Sequence, residues 1–305
     1  MNEIIVISEI TKIYGQKRVV DNISFSIKSG EILGLIGKNG AGKTTIMKII
    51  MRIIQKNNGK VIIGGYDIDT NPKMALSRIG CSIETPNHFN YLTGYENLWL
   101  SANLMENVNK TQINEMLTMV GLIQKANEKV KTYSMGMKQR LAIARALLGE
   151  PKIIILDEPV NGLDPQGMQE IYTMIKQYAN DKKISFLISS HLLHDMEGIC
   201  DRIVVIDEGK SVYEGSMSDI LKESGKSVKV FCADSQDVNA LKIVLQKYYG
   251  LTITDISTDS INIKLRTISF TELNRIVVNS NINITNIVQN SGKLEDLFFN
   301  LTGSE

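Results

Sequence analysis

The chain of 305 residues has only three cysteines, Cys81, Cys200 and Cys232, odd in number and far apart. That set does not form the disulfide framework of a small secreted scaffold; it implies free thiols in a reducing cytosol. No cysteine–histidine pair has ligand spacing, which argues against a zinc-type site. Long apolar runs are missing as well. The longest are short, such as Ile153 to Leu156, against the roughly 20 residues that a membrane-spanning helix needs. Met1-Asn2-Glu3 lacks a basic stretch ahead of an apolar one, so no signal peptide is expected. Neither sign of charge is in excess: 34 Lys and Arg stand against 33 Asp and Glu, a formal net charge of +1. This balance offers no electrostatic case for nucleic acid or acidic lipid as the main partner. No internal repeat or low-complexity tract appears. What remains is a chain whose 43 % hydrophobic content suffices for a core, at a length that implies about two domains.

One segment is specific. Gly37-Lys38-Asn39-Gly40-Ala41-Gly42-Lys43-Thr44 fits the phosphate-binding pattern G-x-x-x-x-G-K-[ST]. Its flanks have the required form: Glu31 to Ile36 reads as a short apolar strand, and Thr45 to Ile54 as an amphipathic helix. A nucleoside triphosphate needs dense charge compensation. Successive backbone N–H groups make an anion nest, and the helix N-terminus adds partial positive charge. Glycine permits positive φ and close backbone approach. In this pattern Lys43 reaches the β- and γ-phosphates and the Thr44 hydroxyl binds Mg²⁺.

Patterning elsewhere predicts the organisation. Ile4 to Ile10 alternates as a strand and Thr11 to Gly15 reads as a turn; Val19 to Ile27 follows as a strand pair. Lys60 to Ile63 and Arg78 to Ile83 read as strands, with a short helix at Asn71-Pro72 between them. From Thr93 to about Lys131 strand signals stop and helical spacing takes over, which marks a helical insert. Alternation then resumes: strand Ile153 to Leu156, helix Gln166 to Tyr178, strand Ile184 to Ser189, helix Leu192 to Ile199, strand Arg202 to Ile206, short strand Ser211 to Glu214. This order predicts the α/β class, with a largely parallel sheet covered by helices. Beyond about Lys226 a separate section reads β-α-β-β-α-β, the ferredoxin-like order, with a last helix at about Leu294 to Leu301. It carries no phosphate loop and no paired acids.

A second element completes a nucleotide site. The apolar strand Ile153 to Leu156 delivers Asp157 and Glu158 at its C-terminal end, where ligands bind in open α/β sheets. Asp157 can hold Mg²⁺, and Glu158 can act as general base toward a water. Acid pairs after strands also serve purely structural roles. A third element, Tyr133-Ser134-Met135-Gly136-Met137-Lys138-Gln139-Arg140, precedes the helix Leu141 to Leu148.

With these three in order, the chain resembles the ATP-binding subunit of an ATP-binding-cassette transporter, over about Ile4 to Gly215. The resemblance implies a P-loop NTPase cassette with an antiparallel β part and a helical insert at about 93–148, within residues 1–220. A small α+β domain, 226–305, follows. It assigns Gly37, Lys38, Asn39, Gly40, Ala41, Gly42, Lys43, Thr44 and Thr45 to the nucleotide, and Tyr14 to the aromatic that stacks on adenine. Ser134 and Gly136 lie in the signature motif, which reaches the γ-phosphate of a partner subunit's ATP. Asp164, in Asn161-Gly162-Leu163-Asp164, is an interface residue, a helix N-cap, or both. His191 is the switch histidine beside the γ-phosphate. His88 and His194 keep an ordinary capping or solvent-facing role. Trp99 and Tyr95 read as core packing, although the family uses that surface to grip its membrane partner.

Two departures stand out. Where the family usually has glutamine after the strand preceding the insert, this chain has Glu84. An ionised carboxylate only accepts, so Glu84 favours Mg²⁺ or a cationic partner. Met135 and Met137 replace a glycine and a glutamine of the usual signature. These departures, with Leu92-Thr93-Gly94-Tyr95-Glu96-Asn97-Leu98 and the tail Leu294 to Phe298, resemble the ATPase subunits of bacitracin exporters and lantibiotic self-protection exporters. The expected function is therefore an ATP- and Mg²⁺-dependent ATPase at the cytoplasmic face of the membrane. It would act with a transmembrane permease, as an ATP-dependent homodimer or pseudo-dimer, and export a peptide antibiotic. Export of an ion, lipid or polysaccharide is the alternative within transport. A soluble, non-transport ABC ATPase is the alternative outside it; one short-insert cassette of neutral charge argues against ribosome or DNA work.

Overall fold

The computed structural model describes residues 3–84, 87–105, 108–224, 227–248, 251–265, 268–280 and 282–290. The chain divides into two compact units, Met1–Gly215 and Ser216–Glu305. The first begins with β1 (Glu3–Tyr14), β2 (Lys17–Lys28) and β3 (Ile32–Ile36), then α1 (Lys43–Ile50), β4 (Asn58–Ile63), β5 (Tyr66–Asp67), α2 (Pro72–Leu76) and β6 (Ile79–Ser82). The insert follows as α3 (Gly94–Ala102), α4 (Lys110–Met119) and α5 (Met135–Leu147). Next come β7 (Ile153–Leu156), α6 (Pro165–Lys182), β8 (Ser185–Ser190), β9 (Arg202–Asp207) and β10 (Lys210–Ser216).

Two sheets result. One has the order β2-β1-β4-β5, with antiparallel pairs throughout; the other has the order β10-β9-β3-β8-β7-β6. In the second, β9, β3, β8, β7 and β6 are joined by parallel pairs. Every residue of β3, β7 and β8 is buried. Covered parallel strands demand such continuous apolar runs. Helix α1 packs Ile46, Met47, Ile49 and Ile50 into a core shared by both sheets, with Ile5, Ile7 and Val61 from one and Leu33, Leu35, Ile155 and Leu187 from the other. A second core lies within the insert, around Leu98, Ile113, Leu117, Val130, Tyr133 and Leu141. Reciprocal capping boxes start α3 (Thr93 with Glu96) and α4 (Asn109 with Gln112).

The second unit contains α7 (Met217–Ser224), β11 (Ser227–Cys232), α8 (Ser235–Leu245), β12 (Leu251–Ile256), β13 (Ser260–Leu265), α9 (Phe270–Val278) and β14 (Ile284–Asn290). Its sheet has the order β12-β13-β11-β14 with antiparallel pairs. This is how the β-α-β-β-α-β chain closes: each helix crossover returns a strand parallel to its predecessor, and the strand between them runs opposite. Val228, Val230, Ile261 and Ile263 form its core with Leu241 and Leu273.

Several local expectations are corrected. Thr11 to Tyr14 is strand, not turn: Ile13 pairs with Arg18 and Tyr14 with Lys17, so the hairpin turns at Gly15 and Gln16. Lys17–Lys28 is one strand rather than a pair. Helix α1 starts at Lys43 and stops at Ile50; Arg52 takes a φ of 54°, and the amides of Ile53 and Ile54 return to the Lys48 carbonyl. The helix expected over Leu192 to Ile199 is one 3₁₀ turn, His194–Met196. There the Ser190 hydroxyl takes the Leu192 amide at 3.0 Å and Gly198 has a φ of 78°, so the run cannot propagate. Trp99 is not core: it is 44 % exposed. The helix expected near Leu294 lies outside the described residues. All three cysteines are free.

Helix α5 lies hard against β6 at Gly80. A Cβ on Gly80 would come 1.7 Å from the Ala146 carbonyl oxygen. Gly80→Ala is expected to lower stability by about 1–3 kcal/mol, the usual cost of overpacking, in urea unfolding followed by circular dichroism. Wild-type stability would contradict this close approach.

Candidate functional site

The site follows from strand order. Strands β3, β8 and β7 are parallel neighbours, so their C-terminal ends lie side by side. The loop Gly37 to Gly42 leaves β3, Asp157 and Glu158 leave β7, and His191 leaves β8. Backbone bonds fix these ends: Gly37 N donates to the Ser190 carbonyl at 3.2 Å and Asp157 N to the Ser82 carbonyl at 2.9 Å.

Lys43 is the centre. Its side chain is only 5 % exposed. Its ammonium donates to the carbonyls of Gly37 (2.7 Å) and Lys38 (3.2 Å) and lies 3.6 Å from Glu158 Oε1. Burial holds this ammonium below the ordinary lysine range, while Glu158 and Asp157 pull it back up. The second oxygen of Glu158, Oε2, accepts from Asn161 Nδ2 at 3.1 Å and lies 3.3 Å from His191 Nδ1, which has no aligned hydrogen bond. Glu158 itself has a φ of 46°, a left-handed conformation unfavourable outside glycine. A cavity of about 170 Å³ opens here, lined by Glu158, Asn161, His191 and Leu163 among others. A carboxylate held between an ammonium and an imidazole, beside a cavity, can accept a proton from a water placed there.

Thr44 Oγ1 donates to Asp157 Oδ2 at 2.8 Å, and Ser189 Oγ donates to Asp157 Oδ1 at 2.5 Å. The same Ser189 oxygen accepts from Glu158 N at 2.8 Å. Hydroxyl plus carboxylate is a hard-oxygen donor set, suited to Mg²⁺. Among the described residues no three or more His, Cys, Asp or Glu form a metal cluster. A cation here would therefore complete its shell with phosphate oxygens and water, as Mg²⁺ does at nucleotides. The loop fits a phosphate. A Cβ at Gly37 would meet the Ile206 carbonyl at 2.4 Å and one at Gly42 the Val19 carbonyl at 2.8 Å, whereas Gly40 faces open space. Lys38, Asn39 and Gly40 are exposed, Ala41 is buried and Thr45 half-buried. Lys43 thus reaches back along this loop, its ammonium on the Gly37 and Lys38 carbonyls and beside Glu158.

Other expected residues lie apart from this cluster. Tyr14 is 49 % exposed, with the Lys12 ammonium 4.8 Å from its ring centroid, so it is not packed into the core. Ser134 caps α5, its hydroxyl accepting from Met137 N at 3.3 Å. A Cβ on Gly136 would meet Leu163 at 3.6 Å, so the signature segment packs on the loop of Asp164. Asp164 is the N-cap of α6, accepting from Gly167 N at 3.2 Å ahead of Pro165. Glu84 bonds Lys48 of α1 rather than Thr44 or Asp157. His88 is half-buried, with Nε2 donating to the Lys138 carbonyl at 2.9 Å, and His194 is exposed. Sequence reading missed Ser189, Asn161 and Lys48 as members of the site. Ser189 left a signal: it follows the apolar run Phe186 to Ile188 at the C-terminal end of a covered strand, and a fully buried hydroxyl there must find a partner.

The family model described as ABC transporter matches residues 20–161. The bacitracin transport ATP-binding protein BcrA of Enterococcus faecalis is 37 % identical over 99 % of this chain and 97 % of its own. The lantibiotic transport ATP-binding protein SrtF of Streptococcus pyogenes is 38 % identical over 68 % of this chain and 89 % of its own. Among solved structures, the ATP-binding cassette MJ0796, a dimer in a post-hydrolysis state bound to ADP and phosphate, superposes with a TM-score of 0.64. It is 26 % identical, covering 70 % of this chain and 98 % of that one. The chain belongs to the ATP-binding proteins of the ABC transporter family, ATPases whose hydrolysis is coupled to transport.

In a loop of this pattern the lysine is the fixed cation for the phosphates. Lys43→Ala is expected to weaken ATP binding by about 100-fold or more, the scale of a lost buried charge contact, in equilibrium titration with a fluorescent ATP analogue. Affinity within a few-fold of wild type would contradict the assignment.

Proposed function

We propose that this chain is the ATPase subunit of a bacterial exporter that removes a peptide antibiotic of the bacitracin or lantibiotic type. The observation that carries the cargo is the near full-length similarity to the bacitracin transport ATP-binding protein. Residues 1–220 form the ATP-binding domain and 226–305 an accessory domain. Tyr14 stacks on adenine, exchanging its Lys12 contact for the base. The loop Gly37 to Thr45 holds the phosphates, Lys43 turning from its own carbonyls to the β- and γ-phosphates. Mg²⁺ would be held by Thr44 and Asp157, with Glu84 as a further oxygen donor, and would offset phosphate charge as the γ-phosphoryl leaves. Glu158 takes the proton of the attacking water, while His191 and Lys43 fix its carboxylate and the water's position. Ser134 and Gly136 serve the ATP of a partner subunit in a homodimer or pseudo-dimer, with Asp164 at the interface.

A permease supplies the membrane path. Among the described residues no helix is long and apolar enough to cross a membrane. The insert and the segment before it expose Phe89, Tyr91, Trp99, Leu100 and Leu104, the last at 89 %. Exposed apolar clusters of this kind mark interaction surfaces, and this one suits the permease. The subunit then works at the cytoplasmic face of the membrane through that contact.

The test is growth of the native host on bacitracin, several lantibiotics and unrelated drugs, comparing the wild-type gene with a Glu158→Gln allele. Selective sensitisation of the mutant to peptide antibiotics is expected. An unchanged panel would overturn the cargo and move the weight to an ion, lipid or polysaccharide.

A further inference from the structure

Glu84 is the residue of this chain that departs most clearly from the usual cassette, and its contacts give the departure a use. It follows β6, whose Ser82 carbonyl accepts the Asp157 amide at 2.9 Å. The backbone at Glu84 has a φ of 64°, a conformation that non-glycine residues hold only when their surroundings enforce it. Its carboxylate bonds the ammonium of Lys48. Lys48 lies four residues after Thr44 on α1, so the two share a helix face one turn apart. Thr44 in turn bonds Asp157 at 2.8 Å. Glu84 is thus tied to the same helix face that presents Thr44 to Asp157, by a lysine whose position is one turn further along.

Asn87, His88 and Phe89 are bonded to the insert. The Asn87 carbonyl accepts from Arg145 at 3.2 Å, and the Lys138 carbonyl accepts from His88 at 2.9 Å, both on α5. Phe89 N donates to Asn97 of α3 at 2.9 Å.

We propose that Lys48 is a positioning residue for Glu84: it holds the carboxylate on α1 and competes with the divalent cation at Thr44 and Asp157 for it. This rests on the reading of that pair as the Mg²⁺·ATP site. Cation binding draws Glu84 off Lys48. The arrangement explains why a carboxylate stands here. A glutamine could still accept from Lys48 but would lose the ion pair with it and the anionic pull toward the cation.

The test is a double-mutant cycle on the whole chain, read as the Mg²⁺ concentration that half-saturates binding of a fluorescent ATP analogue. Lys48→Met is expected to lower that concentration about 2- to 5-fold, the scale of one exposed ion pair, and Lys48→Gln to act in the same direction. Lys48→Arg restores the wild-type value. Glu84→Gln raises the concentration, and in its presence Lys48→Met has little further effect. Removing a cation near the site also acts through the general field, and Lys48 favours the C-terminal end of its helix whatever Glu84 does; both effects persist after Glu84→Gln. An equal shift from Lys48→Met with and without Glu84→Gln overturns the inference alone. Absence of Mg²⁺-dependent binding by the folded wild-type protein overturns the nucleotide-site reading with it.

Discussion

The buried ammonium of Lys43 is the constraint on which this molecule turns. Lys43 is taken out of water at the end of a parallel sheet, which is costly unless its charge is met at close range. Two loop carbonyls and two carboxylates meet it. Those carboxylates sit on β7 because a parallel neighbour one strand away ends at the same level as β3. Their own geometry is held by Ser189 on the strand between. The charge balance of the core and the placement of the reactive groups are one arrangement.

The same arrangement keeps Glu158 under tension. Its backbone lies in a left-handed conformation, and its side chain is shared between Lys43, Asn161 and His191. Under the proposed function, phosphates that recruit Lys43 would withdraw one of these partners and leave the carboxylate facing the cavity beside His191. Glu84, strained in the same sense, is held by a different lysine on the same helix. Two carboxylates and two lysines therefore link α1 to β7 and to the segment that enters the insert.

Much of this was legible from residue order. The phosphate loop needs a fixed glycine and lysine spacing, and the apolar run before Asp157 can only be a covered strand, so strand ends and acids were located together. The β-α-β-β-α-β section followed from simple alternation. What was hidden depends on contacts distant in sequence. Tyr14 reads as a turn residue until β2 pairs with it. The run from Leu192 to Ile199 has helical spacing, but the Ser190 hydroxyl captures its first amide. Trp99 looks like core because aromatic residues usually are, yet the helix face that carries it is left open. Asn161 and Lys48 are ordinary polar residues in any local window; only the fold brings them onto Glu158 and Glu84.

The most direct measurement of the central claim is steady-state ATP hydrolysis by purified Glu158→Gln protein, alongside its ATP affinity. The account predicts affinity close to wild type with turnover lowered about 10²- to 10⁴-fold, the usual worth of a general base. Undiminished turnover would show that the carboxylate between Lys43 and His191 is not the group that takes the proton from water.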